Sequence, residues 1–355
     1  MQKTLSLSTV IRPKPGWYRG DFHAHTTFSD GYYAPLELID AARDAGLDFL
    51  SITDHNTIDA LSSFEPPTDI LIIPGLEVTF KEGHYNVFGI EGYADWMEHI
   101  CAEPHKPMLA GQYNTLTKLM QQASSEGLLN SINHPLLAPW AWLDKTTDLR
   151  NLHCLEIWND PGWADNAQAN PKAVEMWTHW LNAGYRITAI GGTDYHQPHF
   201  KPGYTEPQRL GIPSTYVYAE QLSGEAILEG VRQRRVYVSK GPQVTFQAHF
   251  KDTTYDIGAD LGEVEGTVEF TTMVSHSSTP VKAQLVKNGE VIRETPLENG
   301  QGEFRSADNA DPSQPFWYRF EVLSQDDEIL TLTNPIFTGP RREPVLWQYG
   351  DFVSG

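Results

Sequence analysis

The chain has 355 residues, 40% of them hydrophobic, enough for a large core shared by two domains or a barrel with an appendage. A formal net charge of −20 disfavours a sequence-independent grip on nucleic-acid phosphates. Two cysteines, Cys101 and Cys154, against thirteen histidines exclude a disulfide scaffold and a thiolate zinc finger, leaving two buried free thiols as the expectation.

The opening "MQKTLSLSTVIRPKPGW" lacks the apolar run of a signal peptide, and residues 1–16 read as an N-terminal extension. No segment approaches the roughly 18 apolar residues of a membrane span. A cytoplasmic protein is the expectation, although a chain already trimmed of a leader would read the same.

From residue 17 to 242 short apolar strands alternate with amphipathic helices. "WYRGDFHAH" ends a strand. "APLELIDAARDAG" (34–46) reads as a helix, with Pro35 in its first turn, a stripe of Leu36, Ile39 and Ala42 or Arg43, and Gly46 as its stop. Strands follow at 47–55, at 69–80 with a break at Pro74-Gly75, and at 84–90. A helix near 114–126 precedes strands at 128–135 and 152–159. A helix at 171–184 leads into the strand "YRITAIGGTDYH", and a last helix at 223–235 is followed by "VYVSKG". This alternation predicts an α/β fold with parallel strands.

After Pro242 the helical period disappears. Short alternating strands carry turn residues between them, including Asn288-Gly289 as a hairpin signal. Residues 243–340 therefore read as an antiparallel β-sandwich. Residues 341–355 read as a tail in which Trp347 and Phe352 dock on a neighbouring surface.

The barrel-type strands end in polar residues: His23 and His25, Asp54 and His55, Glu77, His134, Asp194 and His196. A His-x-His at a strand end aims both imidazoles to one side, because strand side chains repeat with period two. Asp30 follows in the same stretch, "FHAHTTFSDG". In an α/β barrel such groups gather at the C-terminal strand ends, so one metal-binding cluster is the simplest account. Imidazole and carboxylate without thiolate suit manganese, iron or catalytic zinc better than structural zinc.

The pieces "HAHTTFSDG", "ITDHNT", "PGLEVT", "EGHYNVFG", "INHP" and "GGTDYH" resemble, in order, the motifs of the polymerase and histidinol phosphatase (PHP) family. The likeness is strongest to its stand-alone metal-dependent phosphoesterases with a trailing β-domain. The resemblance implies a distorted seven-stranded β/α barrel of PHP type, followed by the antiparallel β-sandwich, and two or three divalent metal ions. It implies three metal positions. His23, His25, Glu77 and Asp194 form the first; Glu77 bridges to a second completed by His84 and His134; Asp30, His55 and His196 form the third.

Two cations bridged by a carboxylate can share a water, lower its pKa and clamp both oxygens of an in-line phosphoryl displacement. The expected function is thus hydrolysis, by metal-bound hydroxide, of a phosphate mono- or diester of a small molecule or nucleotide. A carboxylic or carbamate ester hydrolase on the same scaffold is the alternative. A non-catalytic metal-stabilised module fits poorly, since structural sites need only four ligands.

Further candidates are Asp54, which could orient His55 or a neighbouring histidine, and His199, which could protonate a leaving alkoxide. Arg209 could bind phosphate bidentately. Glu156 and Asn159 in "LEIWND" face the same barrel end, where Glu156 could brace ligands. Trp140, Trp142, Trp158 and Trp163 could stack on an aryl group, with core or loop packing as the competing reading. The expected partner is a small phosphate ester. A membrane or a nucleic-acid polymer is disfavoured.

Overall fold

The computed structural model describes residues 5–98, 100–101 and 116–353. The first two positions of the helix expected at 114–126 lie outside these residues; the described helix is Leu116–Ser125. Seven strands follow one another across the barrel sheet: Gly16–Asp21, Phe49–Ile52, Leu71–Phe80, Gly83–Phe88, Leu129–Ile132, Cys154–Trp158 and Thr188–Gly191. The far edge continues from Gly16–Asp21 into Ser214–Ala219. Side chains help close the seam. Thr215 Oγ1 accepts the Gly191 N–H at 2.8 Å and donates to the Gly191 carbonyl at 2.7 Å.

The sheet is mixed, against the expectation of parallel strands throughout. Gly83–Phe88 runs antiparallel to both neighbours because only Lys81 and Glu82 separate it from Leu71–Phe80, too few for a crossover. The break expected at Pro74-Gly75 is absent as well. Parallel pairing on one side ends at Ile52–Pro74 and antiparallel pairing on the other begins at Gly75–Phe88, so proline falls where the strand changes partners. A Cβ on Gly75 would lie 2.8 Å from Ser51 Oγ and Thr53 Cγ2. Only glycine fits there.

Helix Pro35–Asp44 carries Pro35 in its first turn, and the Glu37 carboxylate accepts the Ala34 N–H at 2.9 Å. Its inward face is Pro35, Leu38, Ile39 and Ala42; Leu36, expected in that stripe, is exposed. Helix Asn166–Asn182 starts five residues before the expected Pro171. Its first turns are tied to the preceding loop, with Asn170 Nδ2 donating to the Asn159 carbonyl at 2.7 Å and Asn166 Nδ2 to the Asp160 carbonyl at 2.9 Å.

The C-terminal β-domain has two antiparallel sheets. One orders Thr253–Asp256, Gln243–Phe250, Gly266–Ser275 and Gly302–Ala310; the other orders Glu290–Leu297, Val281–Lys287, Phe316–Leu323 and Ile329–Thr333. Alternate residues such as Val244, Phe246 and Ala248 point into the core between them. Asn288 and Gly289 have φ of 50° and 93°, the left-handed pair of a tight hairpin turn.

The second sheet is continuous with the barrel. Strand Val236–Ser239 pairs with Ser214–Ala219 on one side and Ile329–Thr333 on the other. Val286, Trp317, Leu332 and Phe337 also join the barrel core around Trp177 and Trp180. Asn334 stitches the join: its Oδ1 accepts the Ala189 N–H and its Nδ2 donates to the Ala189 carbonyl, both at 2.9 Å in buried surroundings. Asn334→Ala is expected to destabilise the chain by roughly 2–4 kcal/mol, since each buried group left unpaired costs about 1–3 kcal/mol. Denaturant unfolding monitored by tryptophan fluorescence measures this, and a midpoint equal to that of the parent protein would refute it.

The N-terminal extension adds strand Val10–Arg12 beside Leu222–Ser223. In the tail, Phe352 packs on Trp180 and Tyr185, and Trp347 lies 4.4 Å under the Arg150 guanidinium. Cys154 is buried and Cys101 half-buried, both as free thiols.

Candidate metal centre and its cavity

The expected ligands come together at one end of the barrel: His23, His25, His55, His134, Asp194 and His196 follow C-terminal strand ends, Glu77 lies within Leu71–Phe80, and His84 opens the antiparallel strand Gly83–Phe88. Three groupings of atoms lie close enough to hold an ion: His23, His25, Glu77 and Asp194; His25, Asp30, His55 and His196; and His55, Glu77 and His84. Glu77 is fully buried at the centre. Its Oε1 lies 3.2 Å from His23 Nε2 and 3.3 Å from His84 Nδ1, and its Oε2 lies 2.6 Å from His55 Nδ1 and 3.5 Å from His25 Nε2. Asp194 Oδ1 is 3.2 Å from His23 Nε2 and 3.0 Å from His25 Nε2. Asp30 Oδ1 is 3.5 Å from His55 Nε2 and 3.2 Å from His196 Nε2. His134 Nε2 stands slightly apart, 3.6 Å from Glu77 Oε1.

These atoms are poorly served by one another. His23 Nε2, His84 Nδ1 and Glu77 Oε2 are buried without a hydrogen-bond partner. Imidazole lone pairs facing carboxylate oxygens need a proton or a cation between them, and a native fold rarely buries such atoms unpaired. Protons can serve in part. Burial would raise the Glu77 carboxyl, but the imidazoles of His55, His23 and His84 hold it well below the usual range. Burial opposes charge on His196, yet Asp194 and Asp30 lift it to about 9. Burial, with His196 and His55 nearby, pushes His25 down to about 4. The donor set therefore fits one or more divalent ions.

Neighbouring groups fix the ligands. Glu156 Oε1 lies 2.9 Å from His23 Nδ1, while its Oε2 accepts the His134 N–H at 2.8 Å and the Asn159 amide at 3.0 Å. A proton on Nδ1 leaves the His23 Nε2 lone pair toward Glu77 and Asp194. A Cβ on Gly192 would come within 2.6 Å of Glu156 Oε1, so this support needs glycine. His134 and Asp194 have φ of 28° and 49°, left-handed backbone that is uncommon outside glycine and concentrates at functional sites.

Three candidates stand elsewhere. Asp54 accepts from the Thr26 N–H and hydroxyl, both at 2.7 Å, and from Ser29 at 2.6 Å. It braces the turn after His25, the neighbouring histidine, whose Nδ1 lies 3.5 Å from the same Ser29 hydroxyl; it makes no bond to His55 and does not line the cavity. His199 is exposed and packs edge-on against Tyr32 at 4.9 Å. Arg209 is exposed and pairs with Glu206 at 3.0 Å.

The cluster opens into a cavity of about 370 Å³ whose lining includes Trp140, Trp163, Tyr204, Asp160 and Lys201. The four tryptophans split: Trp142 and Trp158 are buried, while Trp140 and Trp163 face this cavity. Four polar groups here carry no mark of their own in the sequence. Asn133 donates to Glu77 Oε1 at 2.8 Å. Buried Asp21 accepts from the backbone of His23, Thr193 and Gly211, holding three loop ends together. Asp160 and Lys201 are the other two. Asn133 adjoins the expected ligand His134 and Asp160 adjoins Asn159, which is the one signal available for them.

An α/β barrel with this cluster at one end has the donor set of a metal-binding scaffold. Residues 21–182 match the family model described as PHP domain, and that stretch is a PHP domain. No curated protein matches the chain. Among solved structures, a two-domain protein from Bacteroides vulgatus, described as containing a predicted PHP-like metal-dependent phosphoesterase, is 19% identical with a TM-score of 0.49, covering 94% of this chain and 99% of its own. An amidohydrolase from Chromobacterium violaceum is 17% identical with a TM-score of 0.35, covering 53% of this chain and 91% of its own.

Proposed function

We propose that the protein is a metal-dependent phosphoesterase that hydrolyses a phosphate mono- or diester of a small molecule. The observation that carries this reading is Glu77, one buried carboxylate contacting His23, His25, His55 and His84 beside an open cavity. Two or three ions of manganese, zinc or iron bound there would supply positive charge to activate water and draw in a phosphoryl group. Glu156 and Asn133 hold the ligands in place, and Lys201 adds the one lysine or arginine charge among the described lining residues.

The aromatic wall and the outward turn of Arg209 also support a second reading, hydrolysis of a carboxylic or carbamate ester. Metal analysis of untreated protein with a screen of phosphomonoesters, phosphodiesters and aryl carboxylic esters separates the two. Turnover of phosphate esters that disappears on chelation is expected. Turnover of carboxylic esters alone would overturn the first reading.

A further inference from the structure

The half of the cavity away from the metal cluster is built from two loops laced together. Trp163 and Tyr204 pair across them, the Thr205 N–H donates to the Gly162 carbonyl at 2.8 Å, and the Ala164 N–H donates to the Gly203 carbonyl at 3.0 Å. The Trp163 ring meets Trp140 at 5.8 Å and Tyr204 at 5.1 Å, both nearly edge-on, giving an aromatic corner. Trp163 Nε1 is buried with no partner, and Trp140 is 39% exposed. Neither ring is spent on the protein core.

Asp160 stands beside this corner, 4% exposed. It accepts the Gly162 N–H at 3.0 Å and the Gln208 amide at 2.8 Å, and Tyr204 lines the cavity beside it. Gln208 in turn accepts the His196 N–H at 2.9 Å, tying Asp160 rigidly to the metal cluster. Among the described residues no lysine or arginine pairs with Asp160. The charged groups acting on it are Asp194 and His196.

We propose that this half of the cavity is a leaving-group subsite for an aromatic alcohol, in which Asp160 protonates the departing oxygen. The inference rests on the phosphoesterase reading. Water oxygen forms a new bond to phosphorus and releases a proton to solvent. The bond from phosphorus to the aryl oxygen breaks, its electron pair stays on that oxygen, and the Asp160 carboxyl supplies the proton that makes the neutral alcohol. The Asp160 carboxylate then regains a proton from solvent. Burial pushes this carboxyl up to about 6, against the bonds from Gln208 and Gly162. The same burial favours the neutral carboxyl that an acid needs, and activity that depends on its proton falls as pH rises.

The test uses the metal-loaded full chain and aryl phosphates, as mono- or diesters, graded from p-nitrophenyl to phenyl. Asp160→Asn should cost kcat about 10²-fold or more for the phenyl ester, with the loss shrinking steadily toward the activated p-nitrophenyl ester. The basic limb of the kcat profile for the phenyl ester should vanish with it. Trp140→Ala should raise KM for the phenyl ester roughly 10-fold and leave that for glycerol phosphate unmoved, since stacking on a base or ring is worth about 1–3 kcal/mol. A uniform Asp160→Asn loss along the series, with the limb retained, overturns the acid assignment, and equal KM changes for aryl and alkyl esters overturn the aromatic subsite. If parent protein with its metal hydrolyses no phosphate ester, the phosphoesterase reading fails first and this one with it.

Discussion

Replacing Glu77 by Gln is expected to lower turnover by at least ~10²-fold and to strip metal from the protein. The substitution keeps the shape of the side chain, so packing around this fully buried position is retained. It removes one oxygen and the charge on which four imidazoles converge within 3.5 Å. The new amide N–H group would face imidazole lone pairs on one side, and two ions bound here would no longer each have an oxygen that the carboxylate could offer. Elemental analysis of the purified variant, alongside kcat on the best ester, checks both halves. Full metal stoichiometry with full activity would sink the central role given to Glu77.

The candidate ligand positions are legible because period-two geometry and the strand-end rule need no knowledge of loops: His23, His25 and Asp194 follow from where strands stop, whereas Glu77 lies inside Leu71–Phe80, three residues past the point where its parallel pairing ends at Pro74. Assignments that depend on loop direction fare differently. Arg209 follows a loop whose path turns its side chain outward to Glu206, while Lys201, on the same loop, lines the cavity. Asp54 sits at a strand end like its neighbours, but its carboxylate faces back into the Thr26–Ser29 turn. Asp160 is marked in the sequence only by its place beside Asn159, because it has no ligand-like spacing of its own. Only the return of Gln208 and Tyr204 from some forty residues downstream gives it an environment.

The shared edge between barrel and sandwich is hidden for a related reason. "VYVSKG" reads equally well as the last strand of one domain or the first of the next, and it is bonded on both sides. Asn334 has no local pattern at all; its value lies in meeting Ala189, which is 145 residues away.

Removing the metal is expected to reverse how stability depends on pH between the ordinary histidine value of 6.5 and about 9, where His196 titrates in the metal-free fold. In that fold protons stand in for cations. Burial opposes charge on His23, His55, His134 and His196, but surrounding carboxylates win and raise all four. A histidine whose folded value is raised contributes stability that is fully present below 6.5 and is lost as pH climbs through the folded value. Each tenfold gain in proton affinity on folding is worth about 1.4 kcal/mol. His25 moves the other way, but its folded value of about 4 places its effect below this window. Chelated protein should therefore weaken steadily from pH 6.5 to 9. Loaded protein should hold or gain, because metal ligation needs unprotonated imidazoles and binding to the folded state alone stabilises it. Denaturant midpoints of chelated and manganese-loaded protein across this range measure the divergence. Chelation should also abolish ester turnover, and manganese, zinc or iron should restore it. Two midpoint curves that stay parallel from pH 6.5 to 9 would mean that protons, and not cations, occupy this cluster in both preparations.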